Sequence, residues 1–230
     1  AGVKADLFDR RLRTNLSLFH VTYSNVQGAT SPQTYIGAGQ IPEGADPAVF
    51  PYLGVFVAEQ GDYKARGFEF EGTALITDGL TAGGSLSYTK TTAKNVPPIL
   101  IAAGQDLLGQ RPKWTGSLWG QYESEPFAGD ATFSLRVDGQ WNSSYHIDLK
   151  ANRGVAAYAN ITDSNPHWIV NGRAAIKNIS LGPVKTELAV WARNLLDNKD
   201  ATYALIFGGI NAAANYQQAR AFGVYLAIDF

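Results

Sequence analysis

The chain has 230 residues and a formal net charge of −1, so its charge does not favour a nucleic-acid partner. Because there is no cysteine, a disulfide scaffold and a thiolate metal site are both excluded. The chain also has no methionine, and its first residues lack the charged and apolar regions of a signal peptide. We therefore expect the start of the natural protein to lie upstream of Ala1 or to have been removed.

Apolar residues alternate with polar or small residues along much of the chain, and this pattern predicts strands. No apolar run approaches the roughly 18 residues that a helix needs to cross a membrane. Strands carry apolar residues at every second position when one face is apolar, because successive side chains point to opposite faces. The alternation predicts nine strands, over residues 3–8, 12–23, 63–76, 80–91, 113–122, 131–141, 168–176, 184–193 and 220–230.

The connections between the predicted strands alternate in length. Four are short, at residues 9–10, 77–79, 123–130 and 178–183, and the other four are about 18 to 40 residues long. Outer-membrane barrels have short turns at the periplasmic rim and long loops at the other rim. The pattern therefore favours an all-β fold, an antiparallel transmembrane β-barrel. A single-chain bacterial barrel has an even number of strands, so nine strands predict that an amino-terminal portion is missing.

A β-sandwich or a lipocalin-like barrel would also show period-two strands, so the periodicity alone leaves this alternative open. The strand at residues 131–141 has one strongly polar face, formed by Ser134, Arg136, Asp138 and Gln140. We expect that face to lie against water in the lumen of a barrel. Tyrosine and tryptophan also recur near the predicted strand ends, as the aromatic girdles of membrane barrels require. These residues are Tyr23, Tyr63, Tyr88, Trp114, Tyr122, Trp141 and Trp168.

Several short segments resemble the barrel strands of TonB-dependent receptors. Residues 222–230 end on phenylalanine with an apolar residue at every second position, like the final strand of outer-membrane barrels. Residues 66–71 (RGFEFE) resemble the Gly-Val-Glu strand segment of these receptors, and residues 78–81 (DGLT) and 86–89 (LSYT) resemble the hairpin that follows it. Further similar segments are residues 3–12, 15–19, 110–114 (QRPKW) and 193–197 (RNLLD). The resemblance spans nearly the whole chain.

The resemblance implies that the chain is the carboxy-terminal nine strands or so of a larger barrel of the 22-stranded, plugged type. The amino-terminal plug and the first barrel strands would then be absent from residues 1–230. It also implies the outer membrane of a Gram-negative bacterium, with lipid, the missing barrel and plug portion, and the TonB complex as partners. In this family the assembly machinery reads the final strand, which here carries Phe222, Val224, Leu226, Ile228 and Phe230.

The implied function is import of a scarce nutrient, most often an iron–siderophore complex, with carbohydrate or cobalamin as rival cargoes. The alternative function is a non-transport barrel that serves as an adhesin, a passive pore or an outer-membrane enzyme. The two hypotheses are distinguished by a plug domain, which import requires.

Catalytic and metal-binding patterns are weak in this sequence. His20, His146 and His167 are too scattered to match a zinc site or a catalytic triad. Ser143 and Ser144 lie close to His146, as an outer-membrane phospholipase would need, but neighbours on a strand alternate faces. We therefore expect no catalytic, cofactor or metal site.

Charged residues on the predicted lumen faces, namely Glu69, Glu71, Arg136 and Asp138, are interpreted as a solvated ladder that holds the plug. Residues 194–197 are interpreted as the end of a strand and not as a ligand contact. Contacts with a small-molecule substrate such as an iron chelate are expected in the long loops, since binding residues concentrate on loops that a rigid scaffold carries. The aromatic and cationic candidates there are Tyr35, Tyr52, Arg153, Tyr158, Tyr203, Phe207 and Tyr216. Ordinary loop packing explains each of them equally well.

Overall fold

The computed structural model describes residues 1–104, 111–147, 155–158, 160–207 and 211–229, and at positions 207, 211 and 229 it describes the backbone alone. Two residues singled out from the sequence, Arg153 and Phe230, lie outside these ranges. The strands of the described residues are β1 (Gly2–Leu7), β2 (Leu12–Tyr23), β3 (Gln27–Thr30), β4 (Phe56–Glu59), β5 (Asp62–Thr77), β6 (Leu80–Lys94), β7 (Trp114–Glu123), β8 (Thr132–Asn142), β9 (Tyr145–His146), β10 (Asp163–Ser164), β11 (His167–Leu181), β12 (Val184–Arg193), β13 (Ala201–Phe207), β14 (Asn211–Tyr216) and β15 (Ala221–Asp229).

Nine long strands form one antiparallel sheet in the order β1-β2-β5-β6-β7-β8-β11-β12-β15. Each of them pairs with the next long strand along the chain, so the sheet is an up-and-down meander. These are the nine strands predicted from the alternation of apolar residues. Short turns alternate with long loops, as predicted, and the loops span residues 24–61, 95–113, 143–166 and 194–220. Among the described residues β1 and β15 each pair on one side only, which leaves two open edges.

The pairing register collects apolar side chains on one face of this sheet. Val224 of β15 lies opposite Val190 of β12, and Val190 lies opposite Ala174 of β11. The row continues to Leu135 of β8, because residues directly opposite one another project from the same face. Val224 is 70% exposed and Val190 is 54% exposed, so in the described parts of the chain no protein layer covers this face. An uncovered apolar face of this extent is typical of the outer surface of a membrane barrel.

The opposite face carries polar side chains that contact one another across strands. Arg136 Nη1 donates a hydrogen bond to Gln121 Oε1 at 3.1 Å. Asn171 Nδ2 donates to Asp138 Oδ2 at 2.9 Å. Further cross-strand ion pairs on this face are Arg13–Asp6, Lys177–Glu123 and Arg173–Glu187. The sheet is therefore two-sided, with one apolar face and one polar face.

Aromatic side chains gather on the apolar face near the long-loop ends of the strands. The ring centroids of Tyr88 and Trp114 lie 4.6 Å apart, and those of Phe68 and Trp114 lie 5.8 Å apart. Trp141 of β8 lies opposite Trp168 of β11 at the same rim. For Tyr88, Trp114, Trp141 and Trp168 this band agrees with the aromatic girdle that the sequence predicts. The prediction is wrong for Tyr23 and Tyr63, which lie opposite each other on the polar face, where Tyr63 is buried.

One connection is shorter than the sequence predicts. Turn-forming residues between positions 178 and 183 predict a connection there. In the structure β11 continues to Leu181, and only the next two residues connect it to β12. Asn178 has a φ of 56° and lies where the pairing register shifts between Ile176 and Ile179. Because asparagine tolerates this left-handed conformation, the chain forms a bulge within the strand instead of a turn.

The long loops contain short elements that the sequence analysis missed. Three two-stranded sheets, β3–β4, β9–β10 and β13–β14, form within them. The loops also contain helices α1 (Pro32–Ile36) and α2 (Pro98–Ala102) and 3-10 turns at Phe50–Tyr52 and Ala156–Tyr158. In the ranges that the structure describes, no helix has the length and apolar character required to cross a membrane.

Candidate functional site

A cavity of about 620 Å³ lies at the rim where the long loops leave the sheet, and we name it the rim cavity. Its walls come from the end of β6, the segment before β7, the segment after β8, and the β9–β10 pair. The lining is polar apart from two aromatic side chains. The lining residues are Thr89, Thr91, Arg111, Lys113, Trp114, Ser143, Ser144, Tyr145, His146, Asp163, Ser164 and Asn165.

Hydrogen bonds fix the strand ends that form one side of the rim cavity. The N–H of Thr89 donates to the carbonyl of Lys113 at 2.8 Å. The N–H of Ser143 donates to the carbonyl of Trp114 at 2.9 Å, and the N–H of Trp114 donates to Ser143 Oγ at 3.1 Å. Thr89 and Thr91 occupy positions of β6 that belong to the polar face. The rim cavity therefore opens on the polar side of the sheet.

The β9–β10 pair forms the other side of the rim cavity. His146 lies opposite Asp163, and His146 Nδ1 shares a hydrogen bond with Asp163 Oδ1. Thr162 Oγ1 donates a further hydrogen bond to Asp163 Oδ2 at 3.2 Å. Behind this pair, Ile147 is 1% exposed and packs with Ala201 of β13. The loop that carries His146 is thereby attached to the β13–β14 hairpin.

His167, which is buried at the start of β11, connects the same two loops. Its Nδ1 lies 2.8 Å from the carbonyl oxygen of Asn165 and 3.4 Å from Asp200 Oδ2. A carbonyl oxygen only accepts hydrogen bonds, so Nδ1 carries a proton in this arrangement. Because Asn165 lines the rim cavity, His167 helps to position one part of its wall.

Asn194 closes the loop at residues 194–220. It is 3% exposed, and its Nδ2 donates to the carbonyls of Asn198 and Gln218 at 2.8 Å each. The N–H of Asn198 donates back to Asn194 Oδ1 at 3.0 Å. Asn194 therefore ties together the two ends of the loop. The strand β12 ends at Arg193, directly before residues 194–197, which were interpreted as the end of a strand.

The charges of the rim cavity favour an anionic ligand. Arg111 and Lys113 contribute two cationic side chains, and the one carboxylate of the lining, that of Asp163, is engaged by His146. Hydroxyl groups from threonine and serine surround them. Such groups bind anionic oxygen atoms through charge-assisted hydrogen bonds.

The serine residues that the sequence analysis considered for hydrolysis do line the rim cavity. Ser143, Ser144 and His146 all contribute to its wall. Among the hydrogen bonds of the described residues, none joins His146 to either serine, and Ser143 Oγ accepts the N–H of Trp114. In the same ranges no three histidine, aspartate or glutamate side chains come close enough together to hold a metal ion.

The described loop residues that the sequence proposes are not among the lining residues of the rim cavity. Tyr35 is half-buried, and its ring centroid lies 5.2 Å from that of Phe56. Tyr52 is 88% exposed at the end of a 3-10 turn. On the β13–β14 hairpin, Tyr203 and Tyr216 are exposed. Tyr158 is half-buried in a 3-10 turn, Arg153 lies outside the described residues, and only the backbone of Phe207 is described.

Four of the five residues proposed as an assembly signal lie along β15. Phe222, Val224, Leu226 and Ile228 are all exposed on the apolar face, and each lies opposite a residue of β12. Phe230 lies outside the described residues.

The charged residues assigned to the lumen lie on the polar face. Arg136 and Asp138 line a shallow cavity of about 380 Å³ between β8, β11 and β12. Glu69 and Glu71 of β5 lie opposite serine residues of β6 on the same face. The polar face thus carries charge over both halves of the sheet.

Sequence reasoning missed most of the rim cavity. Thr89, Thr91, Lys113, Asp163 and Asn165 were not proposed as site residues, although they line it. The one feature that these residues share in the sequence is that each lies within a few residues of a strand end at the long-loop rim. Which of these strand ends meet is decided by the loops above them.

One comparison with known proteins identifies a family. The family model described as "TonB dependent receptor-like, beta-barrel" matches residues 1–195. No curated protein sequence matches the chain. Several solved structures are similar to it at low sequence identity, and at such identities the likeness shows the fold alone.

Three of these solved structures are receptors for ferric complexes. BauA, the ferric preacinetobactin receptor from Acinetobacter baumannii, has a TM-score of 0.65 and 14% identity, over 100% of this chain and 28% of that chain. FyuA, the ferric yersiniabactin uptake receptor from Yersinia pestis, has a TM-score of 0.67 and 12% identity, over 100% of this chain and 29% of that chain. Fiu, the ferric-catecholate import receptor from E. coli K12, has a TM-score of 0.63 and 18% identity, over 99% of this chain and 26% of that chain.

The chain thus spans 26% to 29% of the length of these three receptors. The similarity covers nearly the whole of this chain, including its nine antiparallel strands. Because the family model covers residues 1–195 of 230, the chain belongs to the TonB-dependent receptor family, and its sheet is part of that family's transmembrane β-barrel.

Proposed function

We propose that the chain forms the carboxy-terminal barrel wall of an outer-membrane receptor that imports a scarce nutrient, most often an iron–siderophore complex. The observation that supports this most directly is the rim cavity, which opens on the polar face at the long-loop rim. In a barrel with long loops outside the cell, this position is the outer mouth of the lumen. A ligand that arrives from outside would meet it first.

The chemistry of the rim cavity suits an iron chelate. Such chelates present oxygen atoms with negative charge, and Arg111 and Lys113 supply the complementary cations. Tyr52, Tyr203 and Tyr216 are exposed on the loops, and we propose them as further contacts for the flat faces of an aromatic chelate.

The polar face is proposed to hold a plug. A row of cross-strand ion pairs, including Arg173–Glu187 and Lys177–Glu123, would present charged groups to a domain inside the lumen. The open edges of β1 and β15 would pair with other strands of the full-length receptor, in a barrel of the 22-stranded type. The TonB complex would act on the plug and not on this chain.

The test is uptake by cells that carry the full-length protein with Arg111→Ala and Lys113→Ala combined. Each of three radiolabelled probes, a ferric catecholate, a ferric hydroxamate and a ferric carboxylate chelate, is given to iron-starved cells. For the probe that the wild type imports, we expect the half-saturating concentration to rise about tenfold or more, because each lost charge-assisted bond contributes about 1.5 to 3 kcal/mol.

The matched control is Lys90→Ala. Lys90 lies between Thr89 and Thr91 on the same strand but occupies a position of the apolar face, so its loss changes the charge of the rim and not that of the rim cavity. Equal uptake by the double variant and by Lys90→Ala would refute the role of the rim cavity. Energy-independent leakage of the probes would favour the passive pore instead.

A further inference from the structure

The apolar face of the sheet is not uniform, because it contains a groove of about 610 Å³. Gly172 of β11 lies opposite Val137 of β8 on one side and Ala192 of β12 on the other. Ala192 in turn lies opposite Phe222 of β15. Two small residues thus occupy the middle of a row whose outer members are large. The next row repeats the pattern with Ala174 between larger neighbours.

The middle of the groove has room for added atoms. A Cβ atom built on Gly172 would lie 3.7 Å from Leu195 Cδ1 and 3.8 Å from the carbonyl oxygen of Arg136, both ordinary contact distances. Leu195 is half-buried and closes the groove toward the long-loop rim. The groove is therefore open along the sheet and bounded at its outer end.

A cationic group stands at that outer end. Arg220 Nη1 lies 3.4 Å from the carbonyl oxygen of Leu195, and its guanidinium carbon lies 6.0 Å from the ring centroid of Phe222. Both of these neighbours line the groove. Lys199 is the second cation here, and one carboxylate, Asp197, lies between the two, at 3.1 Å from Lys199 and 3.8 Å from Arg220. Together, Arg220, Lys199 and Asp197 carry one more positive than negative charge.

We propose that this groove binds an acyl chain of a membrane lipid whose phosphate group lies on Arg220 and Lys199. The inference rests on the proposed outer-membrane location, which places the apolar face against lipid. In hydrocarbon every surface is in contact with acyl chains, so a groove between large side chains is filled by a chain that gains contacts on three sides. A phosphate at the rim satisfies the surplus charge, while the acyl chain enters the groove below it.

The geometry favours a lipid over a second protein. A strand from a partner would need its polar backbone groups satisfied within the membrane, and the groove offers an almost entirely apolar lining. An apolar helix satisfies its own backbone but would bring no anion to Arg220 and Lys199. It also lies on a face that is continuous with the rest of the exposed apolar wall, from Leu118 of β7 to Phe222 of β15.

The experiment uses the full-length protein with Gly172→Leu, which places a large side chain in the groove. The matched control is Gly120→Leu, since Gly120 lies opposite Val137 in the same row but outside the groove, with nothing within 4 Å of an added Cβ. Each protein is purified in detergent, stripped of lipid and titrated with phosphatidic acid or with diacylglycerol of the same acyl chains. Bound lipid is counted by native mass spectrometry.

We expect wild type and Gly120→Leu to retain one phosphatidic acid with equal affinity, and Gly172→Leu to bind it about tenfold or more weakly. Arg220→Gln should lower the affinity for phosphatidic acid about tenfold and leave that for diacylglycerol unchanged. Equal binding of phosphatidic acid by Gly172→Leu and Gly120→Leu would overturn the proposal. The proposal would also be overturned if the wild-type protein were a dimer and Gly172→Leu a monomer. Cell fractionation distinguishes failure of this inference from failure of the proposed function. A protein that is found in the outer membrane but binds no lipid in the groove refutes this inference alone. A protein that is absent from the outer membrane refutes the proposed function.

Discussion

Single glycine residues make room for large side chains of the neighbouring strands. Gly83 of β6 lies opposite Trp119 of β7, and the Trp119 ring covers the space where a side chain would stand. Gly223 and Trp191 repeat the arrangement between β15 and β12. Glycine normally weakens a strand, but here each glycine makes room for a large ring from the neighbouring strand.

Replacing Gly83 with alanine should destabilise the full-length protein. A Cβ at this position would lie 2.8 Å from the carbonyl oxygen of Gly72 and 2.8 Å from Trp119 Cζ2, so the ring or the strand must move. We expect a loss of about 1 to 3 kcal/mol, the usual cost of overpacking. The measurement is urea unfolding in detergent micelles. Gly120→Ala is the control and should change little, and an equal effect of both substitutions would contradict the argument.

At the scale of elements, the loops are held by a few buried polar contacts. Asn194 adopts a φ of 49° and holds the loop at residues 194–220 closed through three hydrogen bonds. The same loop packs Ala201 against Ile147 and thereby supports the wall of the rim cavity. Loss of this closure should therefore affect the site as well as the loop.

We expect Asn194→Ala to open that loop. Alanine cannot replace the hydrogen bonds and is strained at a positive φ, so the substitution should destabilise the closed loop by about 1 to 3 kcal/mol. Hydrogen exchange of the full-length protein should then speed up at residues 195–207 while β12 stays protected. The control is Asn215→Ala, because Asn215 is an exposed residue of β14. Unchanged exchange in Asn194→Ala would show that the loop is held by other contacts.

The two faces of β15 allow a test of which side meets lipid. Val224 lies on the apolar face, whereas Ala227 lies opposite Glu187 on the polar face. Val224→Arg should cost about 2 to 4 kcal/mol near the middle of a bilayer, whereas Ala227→Arg places its charge near a carboxylate in water. The folding yield of the full-length protein in lipid vesicles is measured at a series of urea concentrations. The free energy of folding of each variant is obtained from these yields. A larger penalty at Ala227 would reverse the assignment of the faces.

At the scale of the whole molecule, the two open edges of the sheet determine whether the chain can fold without further strands. Nine strands leave β1 and β15 with unpaired edges in the described residues. Within a membrane every unsatisfied backbone group costs several kcal/mol, and in water exposed edges lead to aggregation. Neither environment accommodates this sheet without further strands.

Residues 1–230 alone should therefore fail to form a closed monomer. We expect the isolated chain, refolded in detergent, to aggregate and to show no heat-dependent shift in gel migration, which closed barrels show. Addition of the remaining strands of the full-length receptor should restore the shift, because both edges then find partners. A monodisperse, heat-modifiable monomer of the isolated chain would mean that these strands close by themselves as a small barrel.

The positions of the nine long strands and their two faces were predictable, because both depend on local order. In β15 the alternation of Phe222, Val224, Leu226 and Ile228 with smaller or polar residues assigns the faces without knowledge of any other strand. Strand ends were harder, since Asn178 signals a turn and forms a bulge. Of the candidate site, Trp114, Ser143, Ser144 and His146 had been named from the sequence, each for another reason, and Arg111 and Lys113 were covered only as members of the segment 110–114.

The sequence by itself determined the fold class and the two-sided wall, since short-range periodicity and the lengths of the connections encode them. The family was indicated by the resemblance of its strand segments to those of known receptors. Only the tertiary structure decided which loop segments meet. The pairing of His146 with Asp163, the packing of Ile147 against Ala201 and the groove around Gly172 all join residues that are 17 or more positions apart. No periodic pattern links such residues, because their contacts depend on strand register and loop closure, which are properties of the folded sheet.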